Sequence, residues 1–334
     1  MNQSTEMAQT VAASAFKAGL DGRAVRRFAL RYSLVIILAI FLVTLAISNR
    51  SFLTVSNMNV ILIQVAANAL LATGATFVIM TGGIDLSVGS VVGLSGVVAA
   101  LFAQNDGVLT CAEAVGLGIL AGAAIGAFNG ALVAFAKVPP FVATLGNMTV
   151  ASGLAFVFSD GQPISGLSDQ FLGLSGTVAG LSIPVLVMVV VVVVAWIVLA
   201  RTRFGMHVYA VGGNAHAARV AGVALGRVRF TVYVIAGALA GLAGVLLAAR
   251  ATAGIATSGT GYELNAIAAA VIGGISLAGG RGSMIGTVFG FLIIGVLDNG
   301  LNIINVSPFY QLIVKGLIII GAVFVDSLTH RTED

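Results

Sequence analysis

After a polar opening stretch, long apolar runs dominate the chain, separated by short polar segments. A bilayer core about 30 Å thick takes about 20 helical residues per crossing. The apolar runs divide into ten such lengths, at 32–48, 57–80, 87–102, 111–136, 141–159, 182–200, 230–249, 263–277, 283–303 and 309–326. The expected fold is therefore an all-α polytopic membrane protein with about ten transmembrane helices. Residues 1–31 would be a polar cytoplasmic tail, 32–326 the membrane domain and 327–334 a cytoplasmic C-terminal tail. The run from 32 is too long for the apolar region of a signal peptide and lacks a small-residue cleavage site, so it is expected to stay as the first span. The tract from Val185 to Val194 is almost pure valine and should face lipid over much of its surface, with Trp196 near the inner interface.

Composition narrows the class without changing it. Hydrophobic residues make up 59% of the chain and charged residues 8%, with a mean hydropathy of +1.09. That is too little charge to cover a soluble surface. The isoelectric point near 9.6 could point to nucleic acid. The cations, however, sit in short segments between apolar runs and lack interleaved aromatics, so no nucleic-acid partner is expected. Cys111 is the single cysteine, which excludes an intrachain disulfide.

The cations instead orient the chain. With the N-terminus inside, the inner segments hold Lys17, Arg23, Arg26, Arg27, Arg31, Lys137, Arg201, Arg203, Arg219, Arg227, Arg229, Arg281 and Arg331. The outer segments keep only Arg50 and Arg250, and Asp106, Glu113, Asp160, Asp169 and Glu263 lie at or beyond the outer boundary. The positive-inside bias then puts both termini in the cytoplasm.

Two sequence echoes point to inverted halves. Gly122, Gly126 and Gly130 form a small-residue ladder in the fourth span, and Gly282, Gly286 and Gly290 form another around the ninth. Such ladders let helix backbones approach closely in lipid. Gly83-Ile84-Asp85-Leu86-Ser87 opens the third span and Gly261-Tyr262-Glu263-Leu264-Asn265 the eighth, from opposite sides. Spans two to five and seven to ten would be inverted repeats, a construction found in transporters. Asp85 and Glu263 each sit at a helix start, where unpaired N–H groups favour an anion, so both read as caps or as pathway groups beside Ser87.

The longest inner connection, 201–229, carries Gly212-Gly213-Asn214-Ala215 and continues through Ala218 and Arg219 to Gly222. Asn214 can cap a short alanine-rich helix and Gly222 can end it. Such a helix is too small to bind a nucleotide but suits a groove on another protein.

At this point the sequence resembles the sugar branch of bacterial ABC importer permeases, the ribose, xylose and arabinose transport family within the branched-chain amino-acid and sugar permease superfamily. The resemblance is carried by Thr81-Gly82-Gly83-Ile84-Asp85-Leu86-Ser87-Val88-Gly89-Ser90, by the Gly-Gly-Asn segment from Gly212 to Val223, and by Ala270 to Ser276 with Gly279-Gly280-Arg281-Gly282. Leu297-Asp298-Asn299-Gly300-Leu301-Asn302, Ser307-Pro308-Phe309 and Lys315-Gly316 extend it to the last span. It implies a vitamin B12 permease-like fold and a non-catalytic subunit in the bacterial inner membrane. The implied partners are a second permease copy or close paralogue, a cytoplasmic ATP-binding subunit and a periplasmic sugar-binding protein. ATP and Mg would be held by the ATPase, and Gly212 to Gly222 would be the coupling helix. The residues agree on the division of labour, since no Gly-x-x-x-x-Gly-Lys-Ser/Thr loop occurs and the chain holds no cofactor of its own.

Asp298 and Lys315 remain to be explained, because charges inside spans are expensive. Both fall in the outer half of the final hairpin. They are expected to pair, or to share a polar network with Asn299 and Asn302, as a structural ion pair or as gating groups. Two rival readings stay open: an ion-coupled secondary carrier, and a permease of the branched-chain amino-acid branch. His207, His216 and His330 lie in inner segments, which weakens a proton-coupled mechanism.

Overall fold

A computed structural model describes residues 33–104 and 109–331. The basic cluster of the N-terminal tail, Asp106 and residues 332–334 lie outside the described residues. All ten expected spans are helices. They are α1 (Ser33–Ser48), α2 (Val55–Met80), α3 (Val88–Phe102), α4 (Cys111–Ala134) and α5 (Pro140–Phe158). A four-residue helix α6 (Asp169–Leu172) and a two-stranded turn, β1 (Thr177–Val178) with β2 (Leu181–Ser182), precede α7 (Ile183–Arg201). Two short helices, α8 (Arg203–Gly213) and α9 (Ala215–Val220), lead to α10 (Leu225–Ala251), α11 (Tyr262–Ile272), α12 (Met284–Ile303) and α13 (Pro308–Arg331). Six of these are long and apolar enough to cross a membrane, and four further helices have shorter apolar stretches.

Local chemistry sets the boundaries. Thr54 caps α2 by accepting from the Asn57 amide, and Thr110 and Glu113 form a reciprocal capping box on α4. Pro140 and Pro184 occupy first-turn positions, where a missing N–H costs nothing. Ser283 accepts from the Gly286 amide to start α12.

The long helix α10 is the hub, packing against α2, α3 and α4. Helix order and packing repeat between the halves α2 to α5 and α10 to α13. The first helix of each half packs on the second and third helices of the other: α2 on α11 and α12, and α10 on α3 and α4. Within each half, α3 packs on α4 and α11 on α12. The glycine ladders make these contacts. A Cβ on Gly122 would lie 2.8 Å from the Cα and N of Gly241, and Gly126 abuts the backbone of Tyr233 and Gly237. In the second half, Gly286 and Gly290 lie against the backbone of Gly273 and Ala269.

Helix α7 packs on α2 and α12 with one face, while Val189, Val190, Val193 and Val194 stay exposed. This is the lipid face expected from the valine tract.

Three expectations are corrected. The 201–229 segment contains two helices rather than one, because Thr202 caps α8 before Asn214 starts α9, and α10 already begins at Leu225. Helix α11 stops at Ile272, short of 277, where Gly273 and Gly274 turn the chain into a loop; Gly274 has φ +83°. Gly282 is therefore no rung of a helical ladder: it sits in that loop at φ +131°, packed on Ile275, before α12 begins.

Candidate functional site

The residues that open α3 form a closed polar network. Asp85 does not cap the helix. Its Oδ1 accepts from the Ser87 amide at 2.9 Å and from the Ser87 hydroxyl at 2.6 Å, a local turn that ends where α3 starts. Ser87 in turn accepts from Asn129 of α4 at 2.8 Å, and the Asn129 carbonyl accepts from Asn147 of α5. All four residues are buried. The Tyr233 hydroxyl, from α10, donates to the Ile84 carbonyl at 3.3 Å. Asp85 and Ser87, two of the pathway candidates, thus lock three helices together. Asn129 and Asn147 were missed in the sequence; an amide on a ladder helix and another in the next span were the available signal.

Glu263 lies in the first turn of α11, and its Oε1 accepts from the Gly261 amide at 3.3 Å, reaching back over the helix start. The other carboxylate oxygen lies against Gly89 in the first turn of α3, so the starts of α3 and α11 meet. Glu263 also lines a cavity of about 440 Å³ with Ser90, Thr149, Ser152 and Thr260.

Asp298 and Lys315 pair at 3.0 Å between α12 and α13, with about a fifth of each side chain exposed. Asn299 is not part of that pair. It exchanges two hydrogen bonds of 3.0 Å with Asn57 of α2, on another face of α12. Asn302 accepts from Gln311 at 2.8 Å and does belong to the same cleft as the ion pair. That cleft, of about 500 Å³, is completed by Gln64 and Asn68 of α2, Arg250 of α10, and Tyr262 and Asn265 of α11. None of these five was among the pathway candidates read from the sequence, although Gln64 and Asn68 stand one helical turn apart in an apolar helix.

The segment from Arg203 to Gly222 forms a bent pair of helices at the end of the bundle where Arg201, Arg219, Arg227 and Arg229 gather. Asn214 ends α8 and accepts from the Ala217 amide at 2.9 Å to start α9. Ala218 is buried and fixes α9 to the bundle, while His216, Arg219 and Val220 are exposed and Gly222 turns the chain at φ +86°. Gly212 abuts the Met80 carbonyl and Gly280, and the Gly280 amide donates to that carbonyl at 2.9 Å. Tyr209 donates to the Gly282 carbonyl at 2.9 Å, and burial pushes its hydroxyl above the ordinary tyrosine range. The pair is therefore seated on one end of both halves, the close of α2 and the loop joining α11 to α12. Beside it, Lys137, Arg219 and Arg229 line a cavity of about 540 Å³ under Thr81 and Gly82.

These features define a polytopic helical membrane protein with a polar cleft inside the bundle and an exposed helix pair at one end. Residues 57–323 match the family described as the branched-chain amino acid transport system permease component, and the chain belongs to it. It is a permease and not an enzyme. It is 46% identical to the ribose import permease protein RbsC of Bacillus subtilis over 86% of this chain and 90% of that protein. It is 42% identical to RbsC of Escherichia coli K12 over 88% of this chain and 92% of that protein. Against the L-arabinose transport system permease protein AraH of Escherichia coli K12 the identity is 34%, over 91% and 92%. No solved structure matches the chain.

Proposed function

We propose that this chain is the membrane permease of an ATP-binding-cassette importer that carries a monosaccharide across the bacterial inner membrane. The observation that carries the reading is end-to-end similarity to permeases named for ribose, D-allose and L-arabinose, each covering at least 90% of the relative. These similarities favour the sugar importer over the amino-acid branch and the self-sufficient ion-coupled carrier.

In this reading the arginine-rich end, with α8 and α9, faces the cytoplasm, and both termini lie there. Two permease copies, or this chain and a close paralogue, pair in the membrane. A periplasmic sugar-binding protein docks on the opposite face, and a cytoplasmic ATPase holding ATP and Mg docks on α9. The seating of α8 supports a coupling role: displacement of α9 would be passed through Gly212 and Tyr209 to the end of α2 and to the loop at Gly280 and Gly282. Both halves would then move together, as alternating access requires.

The test is reconstitution of the chain with its ATPase and binding protein in liposomes. Uptake of labelled D-ribose, D-allose or L-arabinose that requires ATP and all three components is the expected result. Uptake of leucine alone, or sugar uptake by the permease by itself on an ion gradient, overturns the proposal.

A further inference from the structure

We infer that the cavity bounded by the α4–α5 turn, α9 and the start of α10 binds the phosphate headgroup of an anionic phospholipid. The site goes beyond the import reading and is independent of what the permease carries.

Uncompensated charge around a cavity carries the inference. Lys137, Arg219 and Arg229 reach this space of about 540 Å³ from three separate elements, and no Asp or Glu lines it. None of the three forms a salt bridge with a described residue. Like charges gathered on one cavity repel one another, and an anion between them removes that cost. Arg229 also stands one turn from the start of α10, the end of a helix that disfavours a cation. Lys137 holds its place in the turn at φ +58°, a left-handed position that glycine usually fills.

Two helix starts add donors to the same space. Pro139 and Pro140 of α5 and Leu225 and Gly226 of α10 line it, and neither helix has a side-chain cap. The amides of Phe141 and Val142, and those of Gly226 and Arg227, have no acceptor among the described residues. Free amides at a helix start suit a phosphate oxygen, and here they adjoin three cations.

Position selects a lipid over a soluble phosphate. The α4–α5 turn joins two membrane spans, so the cavity lies at the level of the headgroups. Immediately beyond it, Phe141, Val142 and Leu145 form one exposed apolar face of α5, along which acyl chains can lie. The rim is apolar as well: the Phe135 and Phe230 rings pack at 5.7 Å, and Phe135 lies against Gly226. Basic pockets between membrane helices suit anionic headgroups.

The experiment uses the full chain in neutral detergent, mixed with equal amounts of dioleoyl phosphatidylglycerol and dioleoyl phosphatidylcholine. Retained lipid is read by native mass spectrometry. Phosphatidylglycerol is expected to be retained several-fold over phosphatidylcholine. Lys137→Gln, Arg219→Gln and Arg229→Gln should each weaken its retention about fivefold, the equivalent of about 1 kcal/mol per cation. The control is Arg201→Gln with Arg203→Gln, two exposed cations at the same end that do not line the cavity, and it should retain the lipid as the wild type does. Equal retention of the two lipids by the wild type overturns the proposal without recourse to any variant. Unchanged retention in all three cavity variants, or an equal loss in the control, also overturns it. If inorganic phosphate raises the wild-type melting temperature while phosphatidylglycerol is not preferred, the cavity takes a soluble anion and the lipid assignment fails. If the substitutions weaken capture of the purified ATPase and no lipid preference exists, the cavity is a protein-docking face and the assignment fails likewise.

Discussion

Replacing Gly122 by alanine should force α4 and α10 apart. The added Cβ would sit 2.8 Å from the Cα and the N of Gly241, and closer still to the Gly237 carbonyl. Carbon atoms prefer about 3.5 Å or more, so the two backbones must separate by about 0.7 Å locally. The atoms in the way are backbone, so no rotamer change relieves the clash. In lipid there is no hydrophobic drive to hold the helices together, and close packing carries the association. Gaps of this size forfeit about a quarter to a half of each contact's attraction. Overpacking of this kind costs about 1–3 kcal/mol. At about 2 °C per kcal/mol for a large chain, the apparent melting temperature should drop by about 2–6 °C. The assay is the monodisperse fraction left after heating detergent-solubilised protein, read by size-exclusion chromatography. Gly116→Ala is the control, since it lies on the same helix with nothing within 4 Å of an added Cβ. If Gly122→Ala melts within about 1 °C of that control, the close-approach argument is wrong.

Breaking one side of the Asp298–Lys315 pair leaves a charge uncompensated inside the bundle. Asp298→Asn alone should therefore cost about 3–5 kcal/mol, and Asp298→Asn with Lys315→Met should recover most of it, checked by the same melting assay. Asn129→Leu leaves the buried Asn147 amide without its acceptor, while Ser87 loses one donor but keeps its bonds to Asp85, and should cost about 1–3 kcal/mol; a melting temperature equal to the wild type would show that the α3, α4 and α5 network is not structural. Asn214→Ala removes the cap of α9, worth about 1 kcal/mol to that helix. It should lower ribose uptake per ATP hydrolysed in the reconstituted importer while leaving bundle stability unchanged, and an unaltered ratio would count against α9 as the coupling element.

Hydropathy and capping are written in consecutive residues, and they determined a large part of this protein. The ten helices, their order, the lipid face of α7 and the Asn214 cap all follow from short-range pattern. The ladder at Gly122, Gly126 and Gly130 was legible as a contact surface for the same reason, because its spacing lies within one helix. What it touches was not, since Gly237 and Gly241 are more than a hundred residues away and their arrival depends on how the helices cross. The polar residues divide similarly. Asp298 and Lys315 announced a need for partners by standing in apolar spans, and the hairpin brought them together. Asn299, next in sequence to Asp298, points instead to Asn57, because adjacent helical residues face about 100° apart. Gln64 and Asn68 were readable as polar interruptions of α2, but nothing local says that they meet Tyr262, Asn265 and Asn302 in one cleft. Likewise, the Gly212 and Gly280 segments were both visible as glycine-rich, yet only the tertiary structure placed them back to back on Met80. Local sequence specifies that a buried group needs a partner, and the crossing of helices distant in the chain decides which partner it finds.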